Sequence, residues 1–124
     1  MIVADSDILI LFLRGREPCA SVIGQYLKTG NLATTTVNVF EVLSGARKPA
    51  ERKKIVDLLN ALEVFTFTVD AAMLAADLRI KLEAQGKGIG TADYMIAGVC
   101  LAAGLPLLTG NRGHFERVPG LALI

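Results

Sequence analysis

Three carboxylates and one carboxamide stand where the chain passes from an apolar run into a helix or loop. Asp5 follows Ile2-Val3-Ala4, and Glu41 lies within Asn38-Val39-Phe40-Glu41-Val42-Leu43-Ser44-Gly45. Asp93 comes just after Gly86-Lys87-Gly88-Ile89-Gly90-Thr91, and Asn111 ends Leu107-Leu108-Thr109-Gly110-Asn111. In an open parallel sheet the carboxyl ends of the strands face a single crevice, so these four positions are placed to meet there. Three acids in an apolar-walled crevice repel one another and resist desolvation unless a cation neutralises them. Oxygen donors without His or Cys suit Mg²⁺ or Mn²⁺, ions that keep several waters and commonly bridge to phosphate. The chemistry implied is metal-assisted hydrolysis of a phosphodiester, in which the ion acidifies a water for in-line attack and stabilises the leaving oxygen. Asp5, Glu41 and Asp93 are the candidate metal ligands and, with Asn111, the candidate catalytic set. Ser6 and Thr109 are candidate supports that orient the site, water or phosphate.

Each residue also has a simpler role. Asp5 or Asp93 could cap a helix and complement its dipole. Glu41 is harder to explain that way, because an unpaired carboxylate among Val39, Phe40, Val42 and Leu43 would be costly. Asp7 reads as solvated or capping. His114 is the only histidine and fits a surface role, a packing role or a contact with substrate. The glycine-rich stretch at 86–90 lacks the spacing of a phosphate-cradling loop and reads as a flexible turn that brings the Asp93 helix to the crevice. Cys19 and Cys100 are far apart, without paired spacing, and read as packing residues rather than a disulfide or zinc site.

The elements that must position these groups follow from periodicity. Ile2-Val3-Ala4 predicts a buried strand, and Asp7 through Leu13 a helix that stops at Arg14-Gly15-Arg16. Pro18 can open a second helix, carried by Ser21 through Lys28 and ended by Gly30. Leu32 through Thr35 predicts a second strand. Thr36 or Asn38 is the expected N-cap of the next helix, which puts Glu41 in its first turns. A further amphipathic helix runs from Ala50 through Leu62 with a basic outer side. Val64 through Val69 alternates aromatic and β-branched residues, as a strand does, and Asp70 is the expected cap of a helix from Ala71 to about Ala84. Thr91 is the expected cap of the Asp93 helix, which ends at Gly104. Pro106 through Thr109 predicts a strand, Gly110 through Glu116 a loop or short helical turn, and Leu121 through Ile124 a last edge strand. Short apolar strands alternating with helices predict an α/β fold with a mostly parallel sheet covered on both faces.

The 124 residues fit one compact domain spanning 1–124. A net charge of +1 excludes a strongly basic surface, so nucleic-acid binding would need a local patch. Arg14, Arg16, Arg47, Lys48, Arg112 and Arg117 fall in loops or at element ends and could hold phosphates beside an acidic crevice. The mean hydropathy of +0.50 is high, yet every apolar run is interrupted well before the ~18 residues of a membrane span. The excess points to a core plus an oligomer surface. Asp5 stands where a signal peptide would carry basic residues, which leads us to expect a cytoplasmic protein.

The joint pattern resembles the PIN-domain family, and within it the small VapC-type toxin ribonucleases of toxin–antitoxin pairs, over essentially the whole chain. Val3 through Ile10 is similar to the opening motif of that family, whose first aspartate falls on Asp5 and whose following hydroxyl residue falls on Ser6. Asn38 through Gly45 is similar to the second motif and carries its glutamate onto Glu41. Ile89 through Ala97 is similar to the third and carries its aspartate onto Asp93. Leu107 through Phe115, followed by Val118-Pro119-Gly120-Leu121, is similar to the C-terminal motif. Where many members have an acid two residues after the threonine, this chain has Asn111, which adds no charge and leaves the number of metal ions open. Asp7 stands where Asn or Ser is often found. The resemblance implies a three-layer α/β/α fold and a Mg²⁺-dependent endoribonuclease, typically a homodimer, silenced by a cognate antitoxin over the active groove. Two other readings start from the same residues. A degraded site could survive as an interaction groove, with Asn111 as its mark. Asp5-Ser6-Asp7 after a first strand also suits a phosphoryl-transfer domain, but that chemistry needs a late lysine and the chain has none after Lys87.

Overall fold

In the computed structural model, which describes residues 1–124, four short strands line up side by side, all parallel. They are β1 (Ile2–Ala4), β2 (Leu32–Thr35), β3 (Glu63–Phe65) and β4 (Leu107–Leu108), in the order β3-β2-β1-β4. Val3 registers against Ala33 on one side and Leu107 on the other. The chain builds outward from β1 to β2 and β3, then crosses back to place β4 on the opposite side of β1. The strand order thus reverses at β1, the position where an open α/β sheet leaves a crevice at its carboxyl edge.

Both faces are covered. Ile2 and Ala4 of β1 and Leu32 of β2 pack with Ile8, Leu9, Ile23 and Leu58, contributed by α1 (Ser6–Leu13), α2 (Cys19–Lys28) and α4 (Pro49–Ala61). Val3 and Ala33, the alternate residues, pack with Leu78, Leu82, Ile96, Ala97 and Cys100 on the other face. Those come from α5 (Val69–Ala84) and α6 (Thr91–Ala103). The period-two split across the sheet makes three layers, α/β/α, as the family resemblance implied. α3 (Thr36–Gly45) follows β2 directly, and α7 (Arg112–Phe115) is a single turn after β4.

The tightest helix contact is α5 on α6. A Cβ at Gly98 would stand 2.4 Å from the Ala71 carbonyl oxygen and 3.1 Å from Ala75 Cβ. Glycine at 98 therefore lets α6, and Asp93 at its start, approach the α5 backbone.

Several boundaries differ from the sequence expectation. The cap of α3 is Thr35, whose hydroxyl accepts from Asn38 N–H, so Thr36 and Asn38 are both inside the helix. Glu41 is therefore at mid-helix. The strand expected over 64–69 is only Glu63–Phe65, because the Phe67 amide donates to the Thr36 hydroxyl at 3.0 Å instead of a neighbouring strand. Thr68, not Asp70, caps α5, accepting from Ala71 N–H at 3.2 Å. Thr91 is the first residue of α6 and makes no capping bond; the cap position is Gly90. The last edge strand reduces to one bridge, Leu123 to Leu107, and α1 and α2 begin at Ser6 and Cys19.

Candidate active site

The carboxyl ends of three adjacent strands deliver the first groups. Asp5 follows β1, Thr35 ends β2 and Thr109 follows β4, so side chains far apart in sequence become neighbours. Asp5 is the N-cap of α1, with Oδ1 accepting from Ser6 N–H at 2.8 Å. The same oxygen accepts from Asn38 Nδ2 at 2.9 Å, and Oδ2 accepts from the Thr109 hydroxyl at 2.6 Å. Asn38 also donates from Nδ2 to Ser6 Oγ at 2.9 Å, and Ser6 Oγ donates to Glu41 Oε1 at 2.7 Å. Thr35 completes the set by donating to Asn38 Oδ1 at 2.7 Å. Every hydroxyl here donates once and accepts at least once, which fixes the direction of each proton.

A second group lies at the start of α6. Asp93 Oδ2 is 2.8 Å from His114 Nδ1 and 3.4 Å from Asn111 Nδ2. The two groups are joined through the turn after β4, where Asn111 N–H donates to Thr109 Oγ1 at 3.0 Å. One continuous path of hydrogen bonds thus runs from Glu41 through Ser6, Asn38, Asp5, Thr109 and Asn111 to Asp93 and His114. All six residues expected at the site lie on it. Asn38 and His114 join them as additional members.

Asp7 also has a larger role than solvation. Its Oδ1 accepts from Ile8 N–H at 2.8 Å and its Oδ2 from Gly110 N–H at 2.9 Å, tying the start of α1 to the turn that carries Thr109 and Asn111. A Cβ at Gly110 would lie 2.4 Å from that same Oδ2. Only glycine permits the tether at this distance.

The electrostatics are those of a site short of positive charge. Asp5 is only 6% exposed, and burial pushes its carboxyl above its ordinary 3.8; bonds from Thr109 and Ser6 oppose the shift, the charge of Asp7 adds to it and Asn38 opposes it again. Neither Asp5, Asp7 nor Glu41 pairs with a lysine or arginine. Cys100, beneath the site, has its thiol pushed up to about 12 by burial and by the Asp5 charge, so it is inert, as its packing role predicts. A buried carboxylate held by neutral donors alone, with two more carboxylates on the same bonded path, is a donor set that fits a hard divalent cation. No three His, Cys, Asp or Glu side chains are arranged to enclose a metal directly.

Glu41 lines a groove of about 290 Å³, shared with Ile10, Leu13, Val42 and Ile55 and with the charged residues Arg14, Lys54 and Glu51. Of the basic residues expected to hold phosphates, Arg112 donates to the Ile124 carbonyl at 2.8 Å and Arg117 to the Gly88 carbonyl at 3.0 Å. Arg14 lines the groove, and Arg16, Arg47 and Lys48 are exposed.

The PIN domain profile matches residues 2–121, nearly the whole chain. The chain belongs to the PIN domain family. Among curated PIN relatives, Ribonuclease VapC10 of Mycobacterium tuberculosis is 35% identical over 115 residues, covering 93% of this chain and 86% of that protein. The tRNA(fMet)-specific endonuclease VapC of Salmonella typhimurium is 31% identical over 101 residues, covering 78% of this chain and 76% of that one. Among solved structures, VapBC2 from Rickettsia felis, bound to a DNA fragment from their promoter, gives a TM-score of 0.86 at 25% identity, covering 100% of this chain and 98% of its counterpart. FitAcB from Neisseria gonorrhoeae gives 0.84 at 19% identity over 100% of this chain and 97% of that one, a likeness of fold. The expected PIN-like architecture and VapC-type kinship are thus shown.

Proposed function

We propose that this PIN domain is a Mg²⁺- or Mn²⁺-dependent endoribonuclease and the toxin of a VapBC-type toxin–antitoxin pair, with residues 1–124 acting as one catalytic unit. The observation that carries this reading is the bonded path from Glu41 to Asp93 across the carboxyl edge of the sheet, in a chain whose curated relatives are named ribonucleases. Asp5 and Asp93 would hold the ion, with Glu41 sharing it through Ser6 and water, since Mg²⁺ is reluctant to shed its waters. When bound, the ion supplies a more acidic water and charge neutralisation at the phosphate. Asn38 and Thr109 fix both oxygens of Asp5, and Asn111 lies at the rim, where its amide can orient water or phosphate. Arg14, Arg16, Arg47 and Lys48 supply positive charge that attracts the RNA backbone, while base recognition would require unstacked nucleotides.

Two partners follow. The groove that Glu41 lines, apolar along its floor and edged by Arg14, Lys54 and Glu51, suits a segment of an antitoxin laid against the acids. Along α5, Val69 (76% exposed), Met73 (62%) and Ile80 (70%) form with Ala76 one apolar stripe at helical spacing, which supports a homodimer. No helix is long and apolar enough to cross a membrane; cytoplasmic action completes the proposal.

The test is cleavage of a structured-RNA pool by wild type and Asp5→Asn, with Mg²⁺, with Mn²⁺ and with chelator. Metal-dependent cutting that the variant loses is the expected result. No cutting together with no metal binding by the wild type would refute the nuclease and leave the groove as a binding site.

A further inference from the structure

His114 is the one member of the bonded path that carries no oxygen in its side chain. Three atoms crowd together around it. His114 Nδ1 is 2.8 Å from Asp93 Oδ2 and 3.0 Å from Asn111 Nδ2, and Asn111 Nδ2 is itself 3.4 Å from Asp93 Oδ2. A carboxamide nitrogen only donates and an ionised carboxylate only accepts, so the short contact to Asp93 requires the proton of the ring to sit on Nδ1. With that proton in place, the Asn111 to His114 approach is no hydrogen bond. It results from two donors converging on one oxygen. Asp93 Oδ2 is thereby doubly bonded, while Oδ1 has no protein partner.

The donors are held rigidly. Phe115, next to His114, is fully buried in the core, and Arg112 and Arg117 bond the Ile124 and Gly88 carbonyls on either side of it. Thr109 and Gly110 are bonded to Asp5 and Asp7. The turn carrying Asn111 and His114 is therefore fixed at both ends and in its middle. Asp93 lies in the first turn of α6, where the helix dipole already favours its charge.

We propose that His114, with Asn111, is a positioning residue: it locks Asp93 in one rotamer, occupies one carboxylate oxygen and leaves the other as a single-oxygen ligand for the divalent ion. This inference rests on the metal-dependent reading above. It also gives Asn111 a definite role. Its neutral amide can donate to Asp93 where a carboxylate would repel it, so Asn111 tunes the Asp93 ligand instead of adding a charge for a second ion. Outer partners that orient a metal ligand typically cost about 10- to 100-fold in metal affinity when removed.

The experiment is a Mn²⁺ titration followed by electron paramagnetic resonance, without RNA, on wild type, Asp5→Asn, His114→Ala and His114→Asn, each checked for folding by circular dichroism. We expect His114→Ala to weaken Mn²⁺ binding by ~10- to 100-fold, and His114→Asn, whose amide nitrogen stands where Nδ1 does, to recover most of the loss. Because His114 is the only histidine, its imidazole ¹⁵N resonances are unambiguous, and in the metal-free wild type with the ring neutral they should report the proton on Nδ1. A proton on Nε2 overturns the proposal. So does a folded His114→Ala with unchanged Mn²⁺ affinity while Asp5→Asn loses it, in which case the metal site stands and the positioning role falls. A wild type that binds no Mn²⁺ removes the metal-dependent reading and this inference together.

Discussion

Gly98→Ala tests whether the α5–α6 contact sets the position of the Asp93 helix. An alanine Cβ there would stand 2.4 Å from the Ala71 carbonyl oxygen, 3.1 Å from Ala75 Cβ and 3.3 Å from the Ala71 carbonyl carbon. Carbon atoms pack best at about 3.5–4.0 Å, so the helices must part by roughly 1 Å, and gaps of that order forfeit a quarter to a half of the local dispersion energy. Overpacking typically costs about 1–3 kcal/mol, and a backbone carbonyl cannot rotate away as a side chain can, which places this case near the upper end. Alanine regains about 1 kcal/mol of helix propensity, leaving a net loss of about 2 kcal/mol. An unfolding entropy of about 2.1 cal/mol/K per residue, or about 0.26 kcal/mol/K for 124 residues, converts this to a fall in Tm of ~8 °C. Gly24→Ala is the matched control, since its Cβ would meet only Phe12 at 3.9 Å in the interior of α2. There the propensity gain acts alone, and Tm should rise by ~2–4 °C. Thermal melts followed by circular dichroism decide the matter. A Gly98→Ala variant as stable as wild type, or two substitutions shifting Tm in the same direction, would refute the packing account.

Gly110→Ala should cut RNA cleavage ~10-fold with little loss of stability, because its Cβ would push the Asp7 carboxylate aside and break the bond that ties down the turn carrying Thr109 and Asn111; Asp7→Ala should cost a similar factor, and additive losses in a double-mutant cycle would exclude the tether. Asn38→Ala should cost about 2–3 kcal/mol in chemical denaturation, since it removes a donor from Asp5 and Ser6 and an acceptor from Thr35 in a buried place; a loss under ~0.5 kcal/mol would show that the bonds are dispensable. Asp5 gives a pH dependence in metal-free protein. Its carboxyl is raised above 3.8 by burial, so the folded chain binds this proton more tightly than the unfolded chain. Its contribution is most favourable below 3.8 and is lost as pH rises through the raised folded value. Measured as stability of wild type minus that of Asp5→Asn, the difference should fall with rising pH, and saturating Mg²⁺ should offset the fall; a difference that grows with pH would contradict the desolvation account.

What the sequence made legible was the set of charged positions and the order of elements that brings them to one edge. Asp5, Glu41 and Asp93 are conspicuous because each interrupts or adjoins an apolar run, and apolar periodicity is the strongest signal a single sequence carries. The polar residues that bind these acids together carried no such signal. Asn38 looked like a helix cap because capping is a local preference, whereas its actual partner, Asp5, lies 33 positions away. Thr34-Thr35-Thr36 offers consecutive hydroxyls, and their local patterns are alike. Tertiary context distinguishes them. Thr34 donates to the Ala4 carbonyl at 2.8 Å, Thr35 caps α3 and Thr36 accepts from Phe67 N–H at 3.0 Å. That last bond also explains why the alternation over 64–69 misled: aromatic and β-branched residues favour a pleated surface, but β3 is an edge strand and ends once its next amide finds a hydroxyl.

The division has a physical origin. Burying a carboxylate such as Asp5 requires donors to both its oxygens, and apart from the adjacent Ser6 N–H those donors come from the segments that the sheet order brings alongside β1: α3 after β2, and the turn after β4. Parallel topology forces such neighbours to be remote in sequence, since adjacent parallel strands are joined by crossovers of a dozen residues or more. Thr109 reaches Asp5 across 104 positions and Gly110 reaches Asp7 across 103. In this fold, then, the acids that could bind a cation, with Ser6, Thr109 and Asn111, can be read from the sequence, while the roles of Asn38 and His114 emerge only once the strands are in order. Substituting these two residues should move the acids without removing any of them.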